Sequence, residues 1–283
     1  MFGLDGEFLY SECAGCGSLY MTDPPADLSP FYPPGYYSYS HASRSRLSAL
    51  SEDIAARARA AGYVRFLRRC GMRLGPSTAF IDVGAGSGDL LRALRAIGFS
   101  HGIGVDPYLR DGTDTNGVTI LRRPIDEVAA DDSPVEADVV MFHHSLEHVA
   151  DPAVSLRAAA TLLTRGGLIL VRIPIVSYAW RRFGDNWVGL DAPRHLSLPT
   201  EDGFTRLAQR LGLRIVHSRY DSTAMQFVAS EAYERGLTLS EAFASNPPKT
   251  ALRTILSLPK TMRANRLNRQ RRGDQAAFAL AIA

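Results

Sequence analysis

Ala79-Phe80-Ile81-Asp82-Val83-Gly84-Ala85-Gly86-Ser87-Gly88-Asp89-Leu90 decides the fold. A short apolar run that passes straight into alternate glycines reads as a buried strand entering a tight turn. Asp89 to Ile97 then carries Leu90, Leu94 and Ile97 on one helical face, with Gly98 beyond its end. Downstream the alternation continues, with strands at His101 to Asp106, Val118 to Leu121, Ala137 to Phe142 and Gly167 to Ile173. Before the last of these, Asp151 as N-cap and Pro152 in the first turn open a helix that reaches Leu163 and closes at Arg165-Gly166-Gly167. Strands alternating with helices predict an α/β fold, a mostly parallel sheet covered on both faces. After Pro199-Thr200, Phe204, Leu207, Ala208 and Leu211 mark a helix ended by Gly212, and Leu213 to Ser218 returns as a strand. Residues 223 to 268 read as largely helical, and Gln275 to Ala283 as a last strand. Upstream, Leu47, Leu50, Ile54, Ala58, Ala61, Val64 and Leu67 recur at intervals of three and four, a helix stopped by Gly71 and Gly75-Pro76.

These boundaries predict an irregular N-terminal arm over 1–45, a core over 46–222, a helical insertion over 223–272 and a final core strand over 273–283. At roughly 150 residues per domain, 283 residues suit one large domain with appendages. The chain is 46% hydrophobic and 22% charged, and 32 basic against 29 acidic residues leave +3. That ordinary composition argues against global disorder and against nucleic acid as the partner. Arg263, Arg266, Arg269, Arg271 and Arg272 are read as a solvated helix face, the alternative being a site for an anion. Apolar runs such as Leu168 to Val171 and Phe278 to Ala283 fall far below the roughly 20 residues that cross a bilayer. Met1 to Tyr10 holds Asp5 and Glu7 and no signal-peptide pattern, so a cytoplasmic chain with three reduced cysteines is expected.

Gly84, Gly86 and Gly88 permit a tight turn and a close approach of backbone to ligand. The next strand ends in Asp106, where a carboxylate can accept both ribose hydroxyls of a nucleoside. A nicotinamide or flavin dinucleotide and S-adenosylmethionine both satisfy that much. Two features separate them: the spacing is G-x-G-x-G rather than G-x-G-x-x-G, and Asp82 stands two residues before the first glycine. A carboxylate there repels a pyrophosphate and suits an ammonium group.

In this stretch the chain resembles the class I S-adenosylmethionine-dependent methyltransferases. The resemblance covers about residues 45 to 220 plus the C-terminal strand. It implies a seven-stranded, mostly parallel Rossmann-like sheet with the last strand antiparallel, and S-adenosylmethionine as cofactor. Arg123-Pro124-Ile125-Asp126 looks like the family's adenine-holding segment, with Ile125 against the ring and Asp126 near the exocyclic amine, or else Asp126 is a helix N-cap. His143 is counted with this cofactor-binding set. The tyrosines at 32, 36, 37 and 39 are similar to a cover over the cofactor, or form an arm ordered in an oligomer such as a homodimer. A nicotinamide-dependent oxidoreductase and a non-catalytic S-adenosylmethionine-binding scaffold remain as alternatives.

His144-Ser145-Leu146-Glu147-His148-Val149-Ala150-Asp151-Pro152 follows the fourth strand, and Trp187 to Leu196 follows the fifth. Both segments resemble a bacterial subgroup related to the ubiquinone-biosynthesis O-methyltransferases, which implies a small-molecule or saccharide acceptor. Methyl transfer to a hydroxyl requires orienting the acceptor and removing its proton, and imidazole suits that task near neutrality. His144, His148 and His195 are therefore the candidate bases, with Glu147 fixing a ring's tautomer. Tyr178, Phe183 and Trp187 read either as an apolar lid or as core.

Two metal readings complete the set. In related enzymes an E-x-x-E-H segment and a distant histidine hold a divalent metal; here Glu147, His148 and His195 are kept while His144 replaces the first carboxylate, and a metal-free base is the preferred reading. Cys13-Ala14-Gly15-Cys16-Gly17 is half of a zinc-ribbon-like knuckle, the other cysteine being Cys70, and no zinc is expected unless His41 or a second subunit supplies ligands.

Overall fold

The computed structural model describes residues 6–32, 46–109, 117–239, 241 and 250–283. Tyr36, Tyr37, Tyr39 and His41, and the side chains of Leu47 and Leu50, lie outside the described residues. In chain order the elements begin with β1 (Tyr10–Glu12), β2 (Leu19–Met21), α1 (Arg46–Arg69), β3 (Ala79–Val83), α2 (Asp89–Ala96) and β4 (His101–Val105). They continue with β5 (Thr119–Leu121), α3 (Ile125–Ala129), β6 (Ala137–His143), α4 (Pro152–Thr161), β7 (Leu163–Pro174) and α5 (Tyr178–Phe183). Last come β8 (Ser197–Leu198), α6 (Glu201–Arg210), β9 (Leu213–Tyr220), α7 (Met225–Tyr233), α8 (Thr250–Arg269) and β10 (Gln275–Ile282).

Two compact units form. The described residues of Tyr32–Val171, Ala208–His217 and Phe278–Ala283 make up the sheet unit. Its seven strands run in the order β5-β4-β3-β6-β7-β10-β9, mostly parallel with the last strands antiparallel. The glycine-bearing strand β3 is central, parallel to β4 with Val83 opposite Val105 and to β6 with Val83 opposite Phe142. Phe80, Ile81 and Val83 are buried, as a strand covered on both faces requires. The register sets the carboxyl ends of β3, β4 and β6 side by side, so Gly84, Asp106 and His144 leave the sheet at one edge, where open α/β sheets bind ligands.

Local signals explain most of the elements. Asp151 caps α4, its Oδ1 accepting from Ala153 N–H at 2.7 Å, and Pro152 opens the first turn. Leu90, Leu91 and Leu94 are buried on α2, and Gly98 follows with φ 100°. Three expectations fail. Helix α1 buries Ala60, Tyr63, Val64 and Leu67, whereas Ile54 is 59% exposed, because the stripe runs through Ala60 rather than Ala61 and fades toward the N-terminus. Helix α4 closes at Leu162, and Arg165-Gly166-Gly167 lies inside β7. A Cβ on Gly167 would sit 2.9 Å from the Asp138 carbonyl, so close strand approach, not helix termination, calls for that glycine. Asp126 is not an N-cap: Pro124 holds that place and Asp126 lies in the first turn of α3.

The second unit gathers the described residues of Met1–Phe31, Arg172–Leu207 and Ser218–Ala277. Where an irregular arm was expected, β1 and β2 form an antiparallel hairpin with Tyr10 opposite Met21, extended by β8 with Leu19 opposite Leu198. Its core joins Leu19, Val176, Ala179, Phe183, Trp187, Leu198, Phe227 and Leu267. Trp187 is 1% exposed and donates from Nε1 to Asp274 Oδ2 at 3.1 Å, satisfying its one polar atom. Trp187 and Phe183 are thus core residues and not a lid. Helices α7 and α8 occupy the span read as largely helical. No described helix is long and apolar enough to cross a membrane.

Candidate active site

At the glycine loop, Gly84, Gly86 and Gly88 have φ of 75°, 52° and 82°, a backbone other residues rarely adopt. A Cβ on Gly84 would lie 2.4 Å from the Cβ of Ser145, whose Oγ donates to the Val83 carbonyl at 2.5 Å. Ser145 therefore pins the loop to the end of β6. Asp106 holds the loop from the other side: its Oδ2 accepts from Gly86 N–H at 2.8 Å and its Oδ1 from Tyr108 N–H at 2.9 Å. Burial nonetheless raises the Asp106 carboxyl, against the lowering pull of those amides.

Asp82 is 3% exposed, and among the described residues its Oδ1 has no hydrogen-bond partner. Burial, and then the charge of Asp106, push its carboxyl up to about 7. Two buried carboxylates beside one glycine loop disfavour a pyrophosphate and favour a cation, and a buried orphan oxygen calls for a donor. S-adenosylmethionine, with its ammonium donor and sulfonium charge, fits this pair of acidic acceptors. Ile125 is 2% exposed at the start of α3, and Asp126 is exposed beside it.

The histidine segment leaves β6 in the same unit. His143 Nδ1 lies 2.8 Å from the Tyr63 hydroxyl, with the two rings edge to face at 5.4 Å. His144 takes φ 54°, which turns its Nδ1 to 3.2 Å from Glu147 Oε1. The Glu147 side chain is fully buried, while that of His144 is 30% exposed. The ring that this contact orients is His144. His148 presents Nδ1 to the Tyr32 hydroxyl at 3.0 Å. Tyr63 had no sequence signal as a partner of His143, nor Ser145 as a partner of Val83, because each pair is far apart in the chain.

His195 belongs to the second unit. Its Nδ1 lies 2.8 Å from the Gly189 carbonyl, which can only accept, so the ring carries its proton on Nδ1 and Nε2 is the basic nitrogen. Asp191 Oδ2 stands 3.8 Å from that Nε2 and also pairs with Arg194 through both carboxylate oxygens. Arg194 is 2% exposed and donates further to the Phe31 carbonyl at 3.3 Å. The Tyr10 hydroxyl donates to the His195 carbonyl at 2.6 Å, and burial, with Asp191 adding, raises that phenol. Tyr233 is pushed up to about 12 by burial and Asp191, with Arg194 opposing.

The knuckle lies at the turn between β1 and β2. Gly17 N–H donates to the Cys13 carbonyl at 2.7 Å, and the Cys16 thiol donates to Ser18 Oγ at 3.2 Å. Amides of Gly15 and Cys16 hold the Cys13 thiol below its ordinary range. Two thiolates are half of what a closed zinc site takes. Cys70, just past the end of α1, instead donates to the Phe66 carbonyl at 3.2 Å.

The ubiquinone biosynthesis O-methyltransferase of Methylococcus capsulatus is 35% identical over 96 residues, which are 31% of this chain and 40% of that protein. The chain thus spans less than half the length of the curated relative it matches. A chain of the "Complex between the Haloferax volcanii Trm112 methyltransferase activator and the putative methyltransferase" is similar at 16% identity, covering 86% of this chain and 99% of that one with a TM-score of 0.49. An Archaeoglobus fulgidus SAM-dependent methyltransferase is similar at 17% identity, over 82% and 94% of the two chains, with a TM-score of 0.49. Residues 55–218 match the family described as "Methyltransferase domain", from within α1 through the glycine loop and both histidine segments into β9, and the chain belongs to that family.

Proposed function

We propose that this chain transfers the methyl group of S-adenosylmethionine to a hydroxyl of a small-molecule or saccharide acceptor in the cytoplasm, with a histidine taking the acceptor's proton. The observation that carries this reading is the orphan Oδ1 of buried Asp82 beside the glycine loop. In this reading Asp82 receives the cofactor's ammonium and Asp106 its ribose hydroxyls. Gly84, Gly86 and Gly88 admit its backbone contacts, while Ile125, Asp126 and His143 border the adenine. When bound, the cofactor supplies a methyl group on a sulfonium, open to in-line displacement by an oriented nucleophile.

The chain's own residues then have to orient the acceptor and hold its proton. His195 is suited to this at Nε2, since the Gly189 carbonyl fixes its tautomer and the nearby Asp191 carboxylate stabilises the imidazolium that forms. His148 is the other candidate, and the Glu147–His144 pair borders it. The histidines favour an oxygen acceptor over nitrogen or carbon. The relative's printed name, an O-methyltransferase, supports it.

The test supplies purified protein with methyl-labelled S-adenosylmethionine and a panel of hydroxylated aromatics and saccharides. Label appearing on an oxygen, one for one with S-adenosylhomocysteine, supports the proposal. Tight cofactor binding with transfer to no hydroxyl in the panel or in a cell extract argues for a scaffold instead.

A further inference from the structure

We propose that the outward face of α8 docks the chain on an anionic lipid surface. Residues 242–273 hold eight of the chain's 32 Lys and Arg and no Asp or Glu, although the whole chain carries only +3. Helix α8 runs through this stretch and belongs to the second unit. At about 100° per residue Ala264 and Leu267 share one side of the helix, and both are buried in that unit's core. Leu258 and Met262 lie one turn apart on the opposite side, 56% and 67% exposed, and the exposed Arg266 and Arg269 continue their line. One apolar face of the helix is thus consumed by the fold, and a second is left in water with a basic row beside it.

Charge decides the occupant. Among the described residues Lys260 pairs with Glu231 at 2.5 Å and Arg271 with Glu201, whereas Arg263, Arg266, Arg269 and Arg272 have no carboxylate partner. Arg263 holds its guanidinium 4.9 Å from the Phe227 ring centre and donates to the Tyr178 hydroxyl, and Arg272 lies 5.6 Å from the Tyr178 ring centre. Guanidinium groups braced on aromatic rings keep further N–H donors for phosphate oxygens. A second copy of the chain on this face would set arginines against arginines, because a twofold contact pairs a patch with itself. A nucleic acid would use the arginines and leave Leu258 and Met262 without a role. A bilayer uses both: its phosphate headgroups take the guanidiniums, and the boundary of the acyl chains takes the apolar pair.

Flotation of the full chain with lipid vesicles tests this without acceptor or cofactor. At about 0.1 M salt the parent should float with vesicles of mixed phosphatidylglycerol and phosphatidylcholine and stay behind with phosphatidylcholine alone. Each arginine near an anionic surface contributes about fivefold in affinity, so Arg266→Gln with Arg269→Gln should weaken binding about twentyfold. Leu258→Ser with Met262→Ser should weaken it about tenfold with every charge kept. Arg59→Gln with Arg65→Gln removes the same charge from α1 and should change binding by less than about twofold. All of these side chains are exposed, so each variant should keep the parent's urea midpoint, and lost docking is told from lost folding. The proposal is overturned by a parent that stays off anionic vesicles or binds neutral ones equally well. Equal losses through the α1 pair and the α8 pair of arginines overturn it as well, since net charge alone would then be at work. So does full vesicle binding by the Leu258→Ser, Met262→Ser variant; if that variant and the parent bind duplex DNA as tightly, the face is a nucleic-acid site instead.

Discussion

Replacing Asp82 by Asn should stabilise the cofactor-free protein and at the same time weaken its hold on S-adenosylmethionine. The carboxyl is buried, its Oδ1 has no partner among the described residues, and it is pushed up to about 7 from an ordinary 3.8. Below the ordinary value both folded and unfolded states are protonated, and the group costs the fold nothing. As pH rises from 3.8 toward 7, the unfolded state releases a proton that the folded state still holds, so stability falls with pH and the loss is complete above about 7. A gap of about three units corresponds to a penalty of about 4 kcal/mol, an upper value because water entering the site softens it. An amide of the same shape does not ionise and escapes this penalty. Urea unfolding of cofactor-free protein should therefore show Asp82→Asn gaining about 2–4 kcal/mol at pH 8 and nearly nothing at pH 4. Titration calorimetry at pH 8 should show S-adenosylmethionine binding at least about tenfold more weakly, the cost of one charge-assisted contact. The reasoning fails if the variant is no more stable than the parent at pH 8, or if its gain is the same at both pH values.

Gly84→Ala combines a φ of 75° with a Cβ 2.4 Å from Ser145, and it should lower stability by about 3 kcal/mol in urea, with Ser145→Gly in the same chain restoring part of the loss. Asp106→Ala takes the acceptor from two loop amides, and calorimetry should show S-adenosylhomocysteine binding weakened about tenfold or more. His148→Ala and His195→Ala should each lower turnover about a hundredfold with cofactor affinity nearly intact. Activity of the parent should survive exhaustive EDTA treatment; activity lost to EDTA and restored by one divalent ion would move these residues from base to metal ligand.

The sheet was legible because its signals are local. A five-residue strand apolar except for Asp82, alternate glycines and Asp106 at the end of the next strand each announce themselves within a few positions, and β3, α2 and β4 fall where they were expected. The Asp151-Pro152 helix start is of the same kind. Pairings across the chain were not legible. Gly84 needs to be glycine partly because Ser145 touches it, and Gly167 because the Asp138 carbonyl does. Neither neighbour is visible until register is fixed. The N-terminal hairpin was missed because strands of three residues give alternation too little length to register, and β2 is held further by β8. Trp187 carried a signal of both lid and core, and only its burial with Phe183, Leu198 and Phe227 decided between them.

Where the chain breaks its own folding rules is itself informative. Among the described residues three non-glycines have positive φ: His144, Asp191 and Arg271. Left-handed backbone costs an ordinary residue about 1–2 kcal/mol, so it persists only where surrounding contacts hold it. Two of the three stand in the histidine-bearing segments. At His144 the turn sets Nδ1 against Glu147, and at Asp191 it sets a carboxylate against both Arg194 and the ring of His195. Packing gives no reason to spend backbone strain on aiming imidazoles, since an apolar residue in an ordinary conformation would cover the same surface. Asp82 repeats the pattern in another form, an ionisable group kept in a place where burial penalises its charge. In the sheet unit the strained His144 follows β6 and the buried carboxylate lies in β3; in the second unit the strained Asp191 lies in the segment after β7. If the proposed reading holds, stability is lost at these places in exchange for aimed charge and aimed nitrogen, and His144→Gly should then recover stability in urea while lowering turnover.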